Sequence, residues 1–392
     1  MIYDASFFDK PIDRRNTACE KWDGLMAKEK RELNPMWVAD MDFRCPNEVH
    51  EAMVRRAQHP VYGYTAQTDA ADEAMLAFME RRHGITLTKE QQAMLPCVIT
   101  GLKAGVCALT EVGDSIIVQP PVYGPFYASI RANDRIVLEN PLICDGNGRY
   151  TMDFDGLEDC CKAGAKLMLL CSPHNPIGRA WTKEELTKLL EILARYNVAL
   201  ISDEIHEDFV FEPSRFVPIL SLAEAEDAKI FSLTSASKSF NLAGLQQAIL
   251  FTRNMELKEM VLSSMNRAGV VSGNIFGMVA SEAAYQHGDA WLDGMLSYVK
   301  QGEMIAREEL GKRLPKVIFT PLEATYLGWL DMRAYGYHNE ELMKRTYDAG
   351  VAFTTGTFFG AEAGDGFLRI NLACPHAQII DAIIRLEQAI NG

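Results

Sequence analysis

The chain has 392 residues, 48% of them hydrophobic and 23% charged, with 39 Lys and Arg against 53 Asp and Glu for a net charge of −14. Its length exceeds one average domain, and its composition excludes disorder, collagen-like repeats and a disulfide-stapled mini-fold. The acidic balance argues against gripping nucleic-acid phosphates or an anionic membrane surface, and no apolar run approaches the roughly 20 residues that span a bilayer.

The first ten residues, MIYDASFFDK, carry no basic region followed by an apolar one, so no secretory signal is expected. Residues 1–45, rich in charge and turns, are expected to join a C-terminal lobe or to lie across a partner subunit. From 46 to 288, short apolar runs alternate with helical patterns. Ser115–Gln119, Lys166–Ser172, Val198–Ser202 and Ile230–Thr234 read as buried strands. Thr182-Lys-Glu-Glu185 is a capping box opening a helix through about Tyr196, with Leu186, Leu189, Leu190 and Leu193 on one face. Asp145-Gly-Asn-Gly-Arg-Tyr150 begins like a calcium loop but places Arg149 where a ligand belongs, so a turn between strands is expected.

After about Asp289 the pattern changes. It predicts a long helix over Trp291–Leu314, a strand at Thr325–Asp331 and a helix at Glu340–Asp348. A strand at Phe367–Leu372 and an amphipathic helix at His376–Ile390 complete the chain. The expected architecture is α/β: a large domain (46–288) with a mainly parallel sheet flanked by helices, and a smaller α+β domain (289–392) that segment 1–45 joins. No repeat or low-complexity tract is evident. The nine cysteines are scattered, with one adjacent pair and no C-x-x-C, which points to a reducing cytoplasm. No H-E-x-x-H is present and no Cys stands at ligand spacing from a His, so no metal is expected.

In such sheets ligands sit beyond the carboxyl ends of the strands. The run ending at Ser172 is followed by Pro-His-Asn175-Pro-Ile-Gly178. The run ending at Ser202 is followed by Asp203-Glu-Ile-His206, and the run ending at Thr234 by Ser235-Ala-Ser237-Lys238. Upstream, Thr100-Gly101-Leu102-Lys103 opens a helical run and offers backbone N–H groups to an anion, and Tyr123 could stack on a ring. Each piece alone is common: a lysine after a strand is usually solvated, and Asn-Pro is a frequent turn. The ordered set, closed by Arg369 in a late strand, is far more specific.

These residues resemble the fold-type I pyridoxal-phosphate enzymes of the class I/II aminotransferase group, and within it the MalY/PatB-type cystathionine β-lyase (C–S lyase) branch. The match rests on Trp37-Val-Ala-Asp-Met-Asp-Phe43, Tyr62-Gly-Tyr64, Pro121-Val-Tyr123, Ser172-Pro-His-Asn-Pro-Ile-Gly178, Ser202-Asp-Glu-Ile-His206, Ser237-Lys-Ser-Phe-Asn241, Thr325-Tyr-Leu-Gly-Trp-Leu-Asp331 and Leu368-Arg-Ile-Asn-Leu372. It spans nearly the whole chain. It departs at Leu102-Lys103, where small or β-branched apolar residues are expected, and at Ile177, where Thr is usual.

The resemblance implies pyridoxal 5'-phosphate as cofactor, carried covalently by Lys238, which then moves the substrate α-proton. Asp203 would pair with the ring nitrogen, Asn175 and His206 with the phenolic oxygen, and Tyr123 with the ring face. The amides of Gly101 and Leu102, with Ser235 and Ser237, would hold the phosphate. Tyr64 would reach the phosphate from a neighbouring subunit, making the active site a property of a homodimer. Arg369 would fork onto the substrate carboxylate. Each has a plainer alternative: His206 as a satisfied core histidine, Tyr123 as a packed aromatic, Tyr64 as a surface aromatic, Arg369 as a salt-bridged strand residue. The implied reaction is β-elimination of L-cystathionine or related cysteine S-conjugates to a thiol, pyruvate and ammonia. The alternatives are an amino acid aminotransferase and a pyridoxal-phosphate-binding regulator with a protein partner.

Overall fold

The structure, a computed structural model, describes residues 2–225, 228–270 and 273–392. A seven-stranded sheet forms the centre of the large part. Its strands in chain order are β1 (Gln92–Leu95), β2 (Ser115–Val118), β3 (Ile136–Glu139), β4 (Leu167–Cys171), β5 (Ala199–Asp203), β6 (Ile230–Thr234) and β7 (Ala248–Phe251). Their order across the sheet is β1-β7-β6-β5-β4-β2-β3. The pairs from β6 through β3 are parallel, and β7 runs antiparallel to both its neighbours.

The apolar strands are continuous because both faces are covered. Leu167, Leu169 and Cys171 pack into one cluster with Ile201, Leu233 and the helix Val98–Leu109. Met168 and Leu170 face the opposite cluster with Leu200 and the helix Lys183–Arg195. With a side-chain period of two, a strand wet on one face would show alternation instead. The capping box forms: the Thr182 hydroxyl accepts from the Glu185 amide at 3.2 Å, and the Glu185 carboxylate accepts from the Thr182 amide at 2.8 Å. Asp145 turns the hairpin Ile143–Cys144 / Tyr150–Thr151, its carboxylate accepting from the Asn147 and Arg149 amides at 2.8 and 2.9 Å.

Beyond the helices Ile275–His287 and Asp289–Arg313 lies a four-stranded antiparallel sheet. Its strands are β8 (Ile318–Phe319), β9 (Leu327–Asp331), β10 (Thr354–Thr355) and β11 (Phe367–Asn371), in the order β8-β9-β11-β10. The N-terminal segment reaches this region: Asn34–Pro35 pairs in parallel with Val351–Ala352. Phe8 packs on Trp291 and Tyr298. Among the described residues, no helix is long and apolar enough to cross a membrane.

Candidate active site

Register explains the site. Cys171 lies opposite Asp203, and Asp203 opposite Leu233, so β4, β5 and β6 end nearly level. The three following segments therefore open side by side. They bring Asn175, Asp203, His206, Ser235, Ser237 and Lys238 around one cavity of about 150 Å³ that Tyr123 also lines.

Charge in this cavity is poorly compensated. Asp203 is buried, and among the described residues its carboxylate accepts only the Ile205 amide, at 3.2 Å. Burial pushes it up to about 7, against a smaller opposing pull from Lys238. The surrounding protein likewise pushes the Lys238 amine down to about 8. Its Nζ donates to the Ala39 carbonyl at 2.6 Å. His206 is buried with its Nδ1 unpartnered, which is not a satisfied core histidine. Burial, then Lys238, pushes its imidazole down to about 3 and keeps it neutral. Burial also raises the Tyr123 hydroxyl to about 12, so it keeps its proton.

Arg369 stands on β11, behind Asn175. Its guanidinium donates to the Asn175 side chain at 3.3 Å, the Trp37 carbonyl at 2.6 Å and the Thr354 hydroxyl at 3.1 Å. It has no carboxylate partner among the described residues, and its buried Nε has no partner. The salt-bridged strand residue is therefore not what is seen. Burial lowers even this guanidinium, to about 10.

Two expected phosphate contacts are corrected. Gly101 and Leu102 face the sheet, not the cavity. A Cβ on Gly101 would lie 2.7 Å from Leu233 and Leu95 side chains. The Gly101 amide already donates to the Cys97 carbonyl at 3.3 Å. Leu102 is fully buried at the start of the second helical turn, where an amide is committed to the carbonyl four residues back. Val98 and Ile99, the first two residues of the helix, line the cavity instead, and first-turn amides are the ones a helix leaves free. Lys103 is exposed and does not line the cavity. Ser235 caps the turn carrying Lys238, accepting from the Ser237 amide at 3.0 Å and donating to the Gln247 carbonyl at 2.5 Å. Tyr64 lies outside the cavity, fully exposed, and Val61 and Tyr62 beside it are exposed as well.

Sequence reasoning missed Ala39 and Tyr326. The Ala39 carbonyl also accepts from the Tyr326 hydroxyl at 2.9 Å. A backbone carbonyl leaves no mark in a sequence. The signal available was the segment Trp37–Phe43, whose Ala39 lines the cavity.

A family model described as aminotransferase class I and II matches residues 37–386. The chain is 38% identical over 390 residues to cystathionine beta-lyase PatB of Bacillus subtilis, covering 98% of this chain and 100% of that one. Among solved structures, cystalysin from Treponema denticola, described as containing a pyridoxal 5'-phosphate cofactor, matches with a TM-score of 0.95 at 31% identity over 100% of this chain and 99% of that chain. The PLP-bound C–S lyase from Staphylococcus hominis matches with a TM-score of 0.90 at 31% identity over 98% of each chain.

Proposed function

The chain belongs to the aminotransferase class I and II family, and from that premise we propose that it is a pyridoxal-phosphate-dependent carbon–sulfur β-lyase. It acts on L-cystathionine or related cysteine S-conjugates, releasing a thiol, pyruvate and ammonia. The observation that carries the reading is the set of buried, poorly compensated groups in and beside one cavity: among the described residues, Asp203 accepts a backbone amide but forms no ion pair and His206 has no partner at Nδ1, while Arg369, behind Asn175, has no carboxylate. Buried charges and polar atoms left unpaired are costly unless a ligand completes them.

The residues fit that cofactor. Asp203 suits a protonated ring nitrogen, Asn175 and His206 the phenolic oxygen, and Tyr123 the ring face. The amides of Val98 and Ile99, with Ser235 and Ser237, suit the phosphate. When bound, pyridoxal phosphate supplies an electron sink for the substrate α-carbon. Lys238 both anchors it and, with an amine that releases its proton near pH 8, takes the proton from the substrate α-carbon. Arg369 orients the substrate through its carboxylate. Tyr123 holds its proton and can donate at the departing sulfur.

Elimination is preferred to transamination for two reasons. The loop Trp37–Phe43, whose wording is that of the lyase branch, supplies the carbonyl against Lys238. Among the described residues lining the cavity, Lys238 is the sole Lys or Arg, which offers little to a dicarboxylic keto acid. We also infer a homodimer in which Tyr64 reaches the partner's cavity, supported by the exposed stretch around Val61, Tyr62 and Tyr64. The nine cysteines, none of them in a disulfide, suit a reducing cytoplasm. The test offers purified holoprotein L-cystathionine and measures pyruvate, ammonia and free thiol. Nothing above an enzyme-free blank overturns the lyase. Exchange of amino groups between alanine and a keto acid, without thiol release, moves the reading to an aminotransferase.

A further inference from the structure

Behind the turn that carries Lys238 lies a second cluster, outside the cofactor cavity. His83 ends the helix Asp69–His83, and Glu207 and Asp208 follow β5. One potential ligand atom from each lies within 4.8 Å of the others, the one such group among the described residues. His83 Nε2 is 2.9 Å from Asp208 Oδ1. We propose that His83, Glu207 and Asp208 bind one divalent transition-metal ion.

Three observations carry this. First, the two carboxylates are 3% and 6% exposed, and among the described residues neither pairs with Lys or Arg, leaving the His83 imidazole beside Asp208 as the one basic group at the site. Two adjacent carboxylates out of water need protons or a cation. Second, Glu207 Oε2 is buried with no hydrogen-bond partner, the condition of a ligand atom lacking its ion. Third, the remaining oxygens are already held. The Thr234 hydroxyl donates to Glu207 Oε1, and the Ser239 hydroxyl donates to Asp208 Oδ2 at 2.5 Å. Such outer partners fix the orientation of metal ligands.

The ligand types choose the ion. An imidazole with two carboxylates suits Zn²⁺ or Mn²⁺, whereas Mg²⁺ and Ca²⁺ favour oxygen and water. The dication balances both carboxylates, and His83 offers an imidazole nitrogen as the third ligand. Sequence spacing could not flag the site, because His83 and Asp208 are 125 positions apart. The ion would tie the helix end, the loop after β5 and, through Thr234 and Ser239, the turn bearing Lys238.

The test uses chelator-stripped holoprotein, titrated separately with Zn²⁺, Mn²⁺ and Mg²⁺, with bound metal and Tm read out. Glu207→Gln keeps the size and the acceptor for Thr234 but removes the charge. The expected result is about one Zn²⁺ or Mn²⁺ per chain and a Tm rise of roughly 2–4 °C, both lost in Glu207→Gln and absent with Mg²⁺. No saturable uptake, or equal uptake by the variant, overturns the site and leaves protons as the occupants. Should the variant misfold, Co²⁺ loading of the parent decides. A spectrum free of thiolate charge transfer supports nitrogen and oxygen ligands, and thiolate bands place the ion on cysteine and overturn the proposal.

Discussion

Lys238 and Arg369 make different demands on a substitution. Lys238→Ala removes the anchor and the proton carrier together, so kcat should fall by roughly 10⁴-fold or more. The holoprotein spectrum should lose its lysine-bound band, and an enzyme that still turns over at the parental rate refutes the role. Arg369→Ala should act mainly on KM, lowering kcat/KM by an amount worth about 2–5 kcal/mol. Asp203 offers a test without substrate. Burial lifts its folded value to about 7 from the ordinary carboxylate value of 3.8. Between those values the folded chain keeps a proton that the unfolded chain has released, so its contribution to stability falls as pH rises through that window. Asp203→Asn removes this dependence. In urea unfolding of cofactor-free protein, the variant should gain on the parent from pH 4 to pH 7, and a flat difference contradicts the burial. Lys238 runs oppositely: its folded value is depressed to about 8, so its contribution is lost as pH falls toward that value. At this scale the sequence was informative wherever chemistry sits in a side chain, as at Asp203, His206 and Lys238. It was silent where a backbone group acts, as with the Ala39 carbonyl and the helix-start amides at Val98 and Ile99.

Elements explain why Gly101 stood out yet was misassigned. It marks close approach of the helix Val98–Leu109 to the sheet, one turn before Gly105, where a Cβ would meet Phe231 at 2.4 Å. Gly101→Ala should push the helix off β1 and β6, costing about 1–3 kcal/mol by overpacking. It should also weaken cofactor retention, because Val98 and Ile99 ride on the same helix. Equilibrium unfolding together with cofactor release on gel filtration checks both, and unchanged values would return Gly101 to a permissive role. Strands β2, β4, β5 and β6 were readable because each is a short apolar run bounded by a polar break. The direction of β7 was not, since Ala248–Phe251 is apolar on both faces and reads alike in either orientation.

For the whole molecule, the test is subunit complementation. If Tyr64 serves the other protomer, Tyr64→Ala and Lys238→Ala are each defective alone. In a mixed dimer one site carries both changes and the other carries neither. Remixed equimolar variants should recover about a quarter of parental activity by random pairing in a two-fold dimer. No recovery after verified subunit exchange refutes the shared site. The large sheet and the smaller lobe were legible from pattern, because each has its own run of strands and helices. How they are joined was not: they share one apolar core, and single polar contacts that no periodicity records cross between them. Asn241 donates to the carbonyls of Met41 and Phe43 at 3.0 and 2.8 Å, and Arg369 to the Asn175 side chain at 3.3 Å.

One oxygen on this loop has two tenants. The carbonyl of Ala39 takes the amine of Lys238 from the sheet's turn and the phenol of Tyr326 from just before β9. Work elsewhere can call the amine away without setting the loop adrift, because the tyrosine keeps hold. The wall of the cavity thus stays put while its busiest side chain comes and goes.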